Sequence, residues 1–237
     1  MVDMAIICEG KTERNFAEVL LRPHFANYGI AVSPVEIGVD CLQSGGNVSF
    51  ERVLHDSRLL LGDYKYVTTL IDFYRLGSGW PVVPQRDGTI SSEDRAIAVE
   101  NAAFNSAKAQ LAIEDLEHRL IINVLMHEFE GLLFADPAAI VRVTRAYRAE
   151  EALLSIANSY ATPEDINTGR DSAPSKRLVT CGANYGKIVH GTRIAAEIGL
   201  QAIRAKCPHF DAWMCRVEGL NSSMGAVGTA VGLKWVS

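Results

Sequence analysis

Two short stretches constrain this chain more than any other feature. Val2–Cys8 and residues 66–71 are apolar or β-branched at almost every position, and each ends at a carboxylate, Glu9 in the first case and Asp72 in the second. A strand with one wet face alternates apolar with polar residues; runs without that alternation read as strands buried on both faces. The segments around them complete a strand–helix alternation. A helix capped by Thr12 carries Phe16, Val19 and Leu20, and a strand fits residues 30–39, where Pro34 marks an edge or a bulge. A helix over 50–62, an Ala-rich helix from Ser91 to about 117 and a fourth strand over 119–125 follow. This order predicts an α/β fold with a mainly parallel four-stranded sheet flanked by helices. Residues 1–136 form that core, and 137–237, with helical segments near 176–189 and 192–207, form a helical C-terminal extension packed on it.

The composition, 48% hydrophobic and 22% charged over 237 residues, is that of a globular chain and argues against extensive disorder. No run of ~20 apolar residues suggests a membrane span, and the apolar start lacks the basic residues of a signal peptide. Five cysteines without a CxxC pair point to free thiols, so a cytoplasmic location is expected. The spacing of Cys207, His209 and Cys215 matches no common zinc module. A net charge of -5 argues against a protein that coats nucleic acid by charge alone. Between 165 and 216, however, eight Lys/Arg stand against four Asp/Glu, a local excess of 8 - 4 = +4.

In open parallel sheets, functional groups gather outside the carboxyl ends of the strands. Three of the expected strands end in acids: Glu9, Asp72 and the pair Glu128 and Glu130. Each alone could cap a helix or pair with an arginine; together they repel one another unless a cation sits between them, and Mg²⁺ or Mn²⁺ suits such oxygen ligands. Gly10-Lys11-Thr12 looks like the end of a nucleotide-triphosphate loop, but that pattern needs glycine at position 5, which is Ala5. What survives is a turn at Gly10 and Lys11 into a helix whose first N–H groups can face a phosphate. His127-Glu128 is not a zincin motif, because position 131 is Gly131. Trp80, in the glycine-rich stretch 73–90, could stack on a base, but like Phe210, Trp213 and Met214 it leans towards a structural role.

The string Ile6-Ile7-Cys8-Glu9-Gly10-Lys11-Thr12-Glu13 resembles the first Toprim motif, and Thr69-Leu70-Ile71-Asp72 its second acidic strand. With Gly45-Gly46-Asn47-Val48, 127–134, 173–177 and 206–211, these strings resemble a bacterial family of unknown function (domain of unknown function 4276), similar to the Toprim nuclease domain of overcoming-lysogenization-defect proteins. The resemblance implies a Mg²⁺- or Mn²⁺-dependent nuclease acting on DNA or RNA, in anti-phage defence beside a partner ATPase. It implies Glu9 as general acid or base, with Glu9, Asp72, Glu128 and Glu130 as metal ligands. The second acid of the usual Asp-x-Asp is replaced by Tyr74, a gap that Glu128 or Glu130 would fill. Lys176 resembles the late catalytic lysine, and Arg177 and Lys187 join the basic segment expected to hold nucleic acid. No membrane partner is expected, and a homo-oligomer is left open. Two other functions fit the same residues: a non-catalytic module binding nucleic acid or a partner protein, and a small-nucleotide phosphohydrolase.

Overall fold

The computed structural model describes residues 1–38, 47–82, 90–166 and 172–224, with side chains to residue 221. Gly45, Gly46, Arg170 and most of the glycine-rich tail lie outside the described residues. The first half runs β1 (Val2–Cys8), α1 (Lys11–Phe16), a π turn (Ala17–Leu21), α2 (Arg22–Ala26), β2 (Ile30–Glu36), α3 (Phe50–Asp63) and β3 (Tyr66–Asp72). It continues through α4 (Ser92–Leu111), α5 (Leu116–Arg119), β4 (Leu120–Ile121) and β5 (Val124–Leu125). Helices α6 (Phe129–Leu133), α7 (Pro137–Thr144), α8 (Glu150–Asn158), α9 (Pro174–Thr180), α10 (Lys187–Ile198), α11 (Leu200–Lys206) and α12 (Pro208–Glu218) complete it.

The strands lie in the order β2-β1-β3-β4 and every described pairing is parallel. Pro34 is tolerated because β2 is the edge strand and one side of it needs no ladder partner. The fourth strand differs from expectation. It is split into β4 and β5, which pair β3 in the same register on either side of a gap at Ile122 and Asn123. Thr69 explains the gap: its hydroxyl donates to the Asn123 carbonyl (2.7 Å) and accepts the Asn123 N–H (2.8 Å), replacing the ladder bonds.

Helix boundaries also shift from the sequence reading. The first helix starts at Lys11 with Gly10, not Thr12, at the cap, and Thr12 is buried. The Ala-rich helix stops at Leu111 because Ala112 turns left-handed (φ 51°). The expected segments 176–189 and 192–207 break at 181–186 and at Gly199 (φ 80°), giving α9, α10 and α11.

Alternate strand residues feed two cores. Ala5, Ile7, Val67 and Ile71 pack towards α3 and α4. Met4, Ile6, Cys8 and Leu70 pack towards α1 and the C-terminal helices, whose Phe210, Trp213, Met214 and Val217 belong to the same buried cluster. Phe16 meets Phe129 edge-on (centroids 5.2 Å) and Phe210 at 6.1 Å. Each such ring contributes roughly 1.5–3 kcal/mol by burial. Trp213 adds a specific tie, its Nε1 donating to Thr68 Oγ1 at 3.0 Å on β3. The C-terminal helices thus close one face of the sheet and bring α10 over the ends of β1 and β3.

Candidate active site

With the order β2-β1-β3-β4, the chain leaves β1 and β3 towards opposite edges, so a crevice opens between their carboxyl ends. Glu9 and Asp72 sit there side by side. The Asp72 N–H donates to Glu9 Oε2 (3.1 Å), and the Glu9 N–H donates to the Leu70 carbonyl (3.2 Å). Arg75, just past β3, pairs its Nε with Glu9 Oε1 at 3.1 Å. Asp72 Oδ1 accepts the Phe129 N–H at the start of α6 (2.7 Å).

Two further acids face the same point. Glu13 comes from the first turn of α1 and Glu130 from the first turn of α6. Glu13 and Asp72 are 1% exposed and Glu130 is 0% exposed. Lys187, the first residue of α10, reaches among them. Its Nζ lies 3.2 Å from Glu13 Oε1, 3.3 Å from Asp72 Oδ2 and 3.7 Å from Glu130 Oε2. Glu130 Oε1 accepts the Tyr185 hydroxyl (3.1 Å). Close packing holds α10 here. A Cβ on Gly191 would stand 3.0 Å from Phe129 Cε1, 3.1 Å from Tyr185 Oη and 3.2 Å from Thr12 Cγ2.

The electrostatics follow from burial. Desolvation, reinforced by Glu13, pushes Glu9 up to about 7, against the pull of Lys187 and Arg75. Burial also raises Asp72 and Glu130, in both cases opposed by Lys187. For Lys187, burial works against the ammonium, but Asp72, Glu130 and Glu13 outweigh it and hold its pKa above the ordinary lysine value. Four carboxylates against Lys187 and Arg75 leave a formal 4 - 2 = 2 negative charges. Glu13 Oε1 and Glu130 Oε2 accept no hydrogen bond. Among the described residues no three His, Cys, Asp or Glu side chains stand arranged as a metal-ligand set; the ammonium of Lys187 stands between the acids instead. A cleft of about 370 Å³ opens beside the cluster, walled by Glu9, Lys11, Glu36, Arg52, Arg75 and Ile188 among others.

A family profile matches residues 8–218. The chain belongs to the family described as Domain of unknown function (DUF4276). No curated protein and no solved structure matches it. Among the described residues, no helix is long and apolar enough to cross a membrane.

In this DUF4276 chain the residues expected from the sequence are distributed unevenly. Glu9, Asp72 and Glu130 converge. Glu128 faces another way, Oε2 accepting the Ser175 N–H (3.0 Å) at the start of α9. The lysine among the acids is Lys187 and not Lys176, which is exposed on α9. Gly10 caps α1, and Lys11 is exposed on the cleft wall. Arg177 is held by the Ser172 carbonyl (2.8 Å) and by the hydroxyl and ring of Tyr160 (2.6 Å and 5.3 Å). Arg204 is tied to Asp211 and Glu218. Of the basic side chains between 165 and 216, Arg177, Lys187 and Arg204 are therefore engaged within the chain. Trp80 takes the structural role: it is 8% exposed, packs on Phe50 (5.3 Å) and donates its indole N–H to the Val48 carbonyl (2.8 Å). A buried, bonded indole cannot stack on a base. Tyr74, where the Toprim resemblance leads one to expect a second acid, lays its ring against His127 (5.4 Å, 30°).

Glu13 was not singled out by the sequence reading. A faint signal for it exists: Glu9-x-x-x-Glu13 straddles a strand-to-helix turn, which returns the second acid to the strand end after one helical turn.

Proposed function

We propose that the chain is a Mg²⁺- or Mn²⁺-dependent phosphodiesterase acting on DNA or RNA. The observation that carries the reading is the convergence of Glu9, Glu13, Asp72 and Glu130 at the carboxyl ends of adjacent parallel strands, with a formal excess of two negative charges. Structural salt bridges do not require such an excess, and burying it without a cation or protons is costly. The donors fit a hard divalent ion. They are all carboxylate oxygens; those of Glu9 and Asp72 are engaged by two backbone N–H groups, Arg75 and Lys187, so an ion there would displace Arg75 from Glu9. Glu9 and Asp72 would hold the ion, with Glu130 beside them. When bound, it would supply a Lewis acid that stabilises charge developing on the phosphoryl oxygens.

The chain's own groups account for the rest. Without the ion, burial and Glu13 push Glu9 up to about 7; a dication held there would lower it, so ion binding would compete with a proton on Glu9. Lys11, Arg52 and Arg75 wall the cleft and would hold the anionic backbone next to the acids. The arrangement agrees with a Toprim-like core, and a role in anti-phage defence beside an ATPase belongs to the same proposal.

The test is cleavage of end-labelled single- and double-stranded DNA and RNA by the full chain, with Mg²⁺, Mn²⁺ or chelator. The reading expects metal-dependent products that vanish in Glu9→Gln and in Asp72→Asn while the circular dichroism spectrum stays unchanged. Full activity in either variant would sink it. A second reading, hydrolysis of a small nucleotide, is favoured by the size of the cleft, about 370 Å³, which suits one such molecule. Turnover of mononucleotides without polymer cleavage would select it.

A further inference from the structure

Lys187 reaches its position from a helix far along the chain, 115 residues after Asp72, and still ends 3.2–3.7 Å from three carboxylates. Those carboxylates, on Glu13, Asp72 and Glu130, are all at or below 1% exposure. The facing oxygens of Glu13 and Glu130 accept no hydrogen bond, so charge alone aims them at the ammonium. The lysine is also fixed from behind. Gly191, one turn along α10, sits so close to Phe129, Tyr185 and Thr12 that the helix has no room to advance or roll.

The Glu9 side of the cluster is built differently. Glu9 is paired with Arg75, whose side chain is 48% exposed, and both line the open cleft. Both halves border the same cleft, but Lys187, 34% exposed, is shared by three buried carboxylates, whereas Arg75, 48% exposed, is paired with Glu9 alone.

We propose that Lys187 fills one of two cation places in this cluster, so that the site takes a single divalent ion, on the Glu9–Asp72 side facing the cleft. The inference rests on the metal-dependent reading above. An ammonium balances charge and orients Asp72 and Glu130, but it has no open coordination positions for water or phosphate. Lys187 is therefore a positioning residue, and Lewis-acid chemistry is left to the one exchangeable ion.

The experiment is titration of the full chain with Mn²⁺ alone, followed by calorimetry and by electron paramagnetic resonance. Wild type should bind one ion per chain and give the spectrum of magnetically isolated Mn²⁺. Lys187→Met, of similar length and without charge, should bind two ions and give the spectrum of a coupled pair; Lys187→Arg should stay at one. If Lys187→Met still takes one ion, Lys187 is not a stand-in, and the inference falls while the functional reading survives. If neither protein binds Mn²⁺, both fall. Should Lys187→Met fail to fold, the wild-type spectrum decides alone: isolated Mn²⁺ is required, and a coupled pair overturns the inference.

Discussion

Replacing Gly191 by alanine sets two effects of known size against each other. In the interior of α10, alanine gains about 1 kcal/mol over glycine from helix propensity. Against this, the new Cβ meets Phe129 at 3.0 Å, Tyr185 Oη at 3.1 Å and Thr12 at 3.2 Å, all at once. Phe129 is 0% and Thr12 3% exposed, so neither has space to retreat into. Overpacking of that kind costs roughly 1–3 kcal/mol. Displacing Tyr185 would also weaken its hydrogen bond to Glu130, worth about 1 kcal/mol. The balance is a net loss of about 1–3 kcal/mol, which for a chain of this size lowers Tm by roughly 2–12 °C. Urea and thermal unfolding followed by circular dichroism would measure it. A Gly191→Ala chain more stable than wild type by ~1 kcal/mol, the full propensity gain, would refute the claim that α10 is seated by this contact, and with it the account of how Lys187 is held.

Three other outcomes follow from the same geometry. Trp213→Phe removes the indole donor to Thr68 and leaves that hydroxyl buried, which should cost about 1–3 kcal/mol in urea unfolding; a neutral result would mean the tie from α12 to β3 is not made. His209 is buried, which opposes its charge, but its bond to Glu100 and the nearby Glu164 and Glu93 outweigh this and raise its pKa. A raised histidine contributes stability that is complete below about pH 6.5 and lost as pH rises through the folded-state value. Tm should therefore fall over that window in wild type and stay flatter in His209→Gln; parallel curves would contradict this. Lys11→Glu on the cleft wall should weaken oligonucleotide binding and flatten its salt dependence, by a slope of ~0.9 per lost phosphate contact on duplex DNA. Unchanged anisotropy titrations across salt concentrations would move the nucleic-acid path away from this cleft.

Much of the scaffold was legible in the residues because local and global preferences agree there. Val2–Cys8 and Tyr66–Asp72 lack alternation, and both are buried parallel strands. Their terminal acids were visible for the same reason, since a carboxylate closing an apolar run has few structural uses. Glu13 and Lys187 were harder to read as partners. On a helix, one acid or one lysine resembles any solvated charge, and only tertiary packing brings α10 over the strand ends. The same holds for Arg177, which looked like surface charge until Tyr160 supplied a ring and a hydroxyl. The glycines around Trp80 left a base-stacking role open, and the structure closes it by giving the indole N–H a backbone carbonyl at Val48. The end of α4 carries no mark in composition, because alanine continues past Leu111 and only Ala112's left-handed turn stops the helix.

The central claim is that the carboxylates at the ends of β1 and β3 are a cation site and not a set of structural ion pairs. Crystals of the full chain soaked in Mn²⁺ test it most directly, through anomalous scattering. The account predicts a peak bound by Glu9 and Asp72 at the edge of the cleft, with Arg75 moved off Glu9. An anomalous map without a peak there, with Arg75 still on Glu9 and Lys187 still on Asp72, would contradict it.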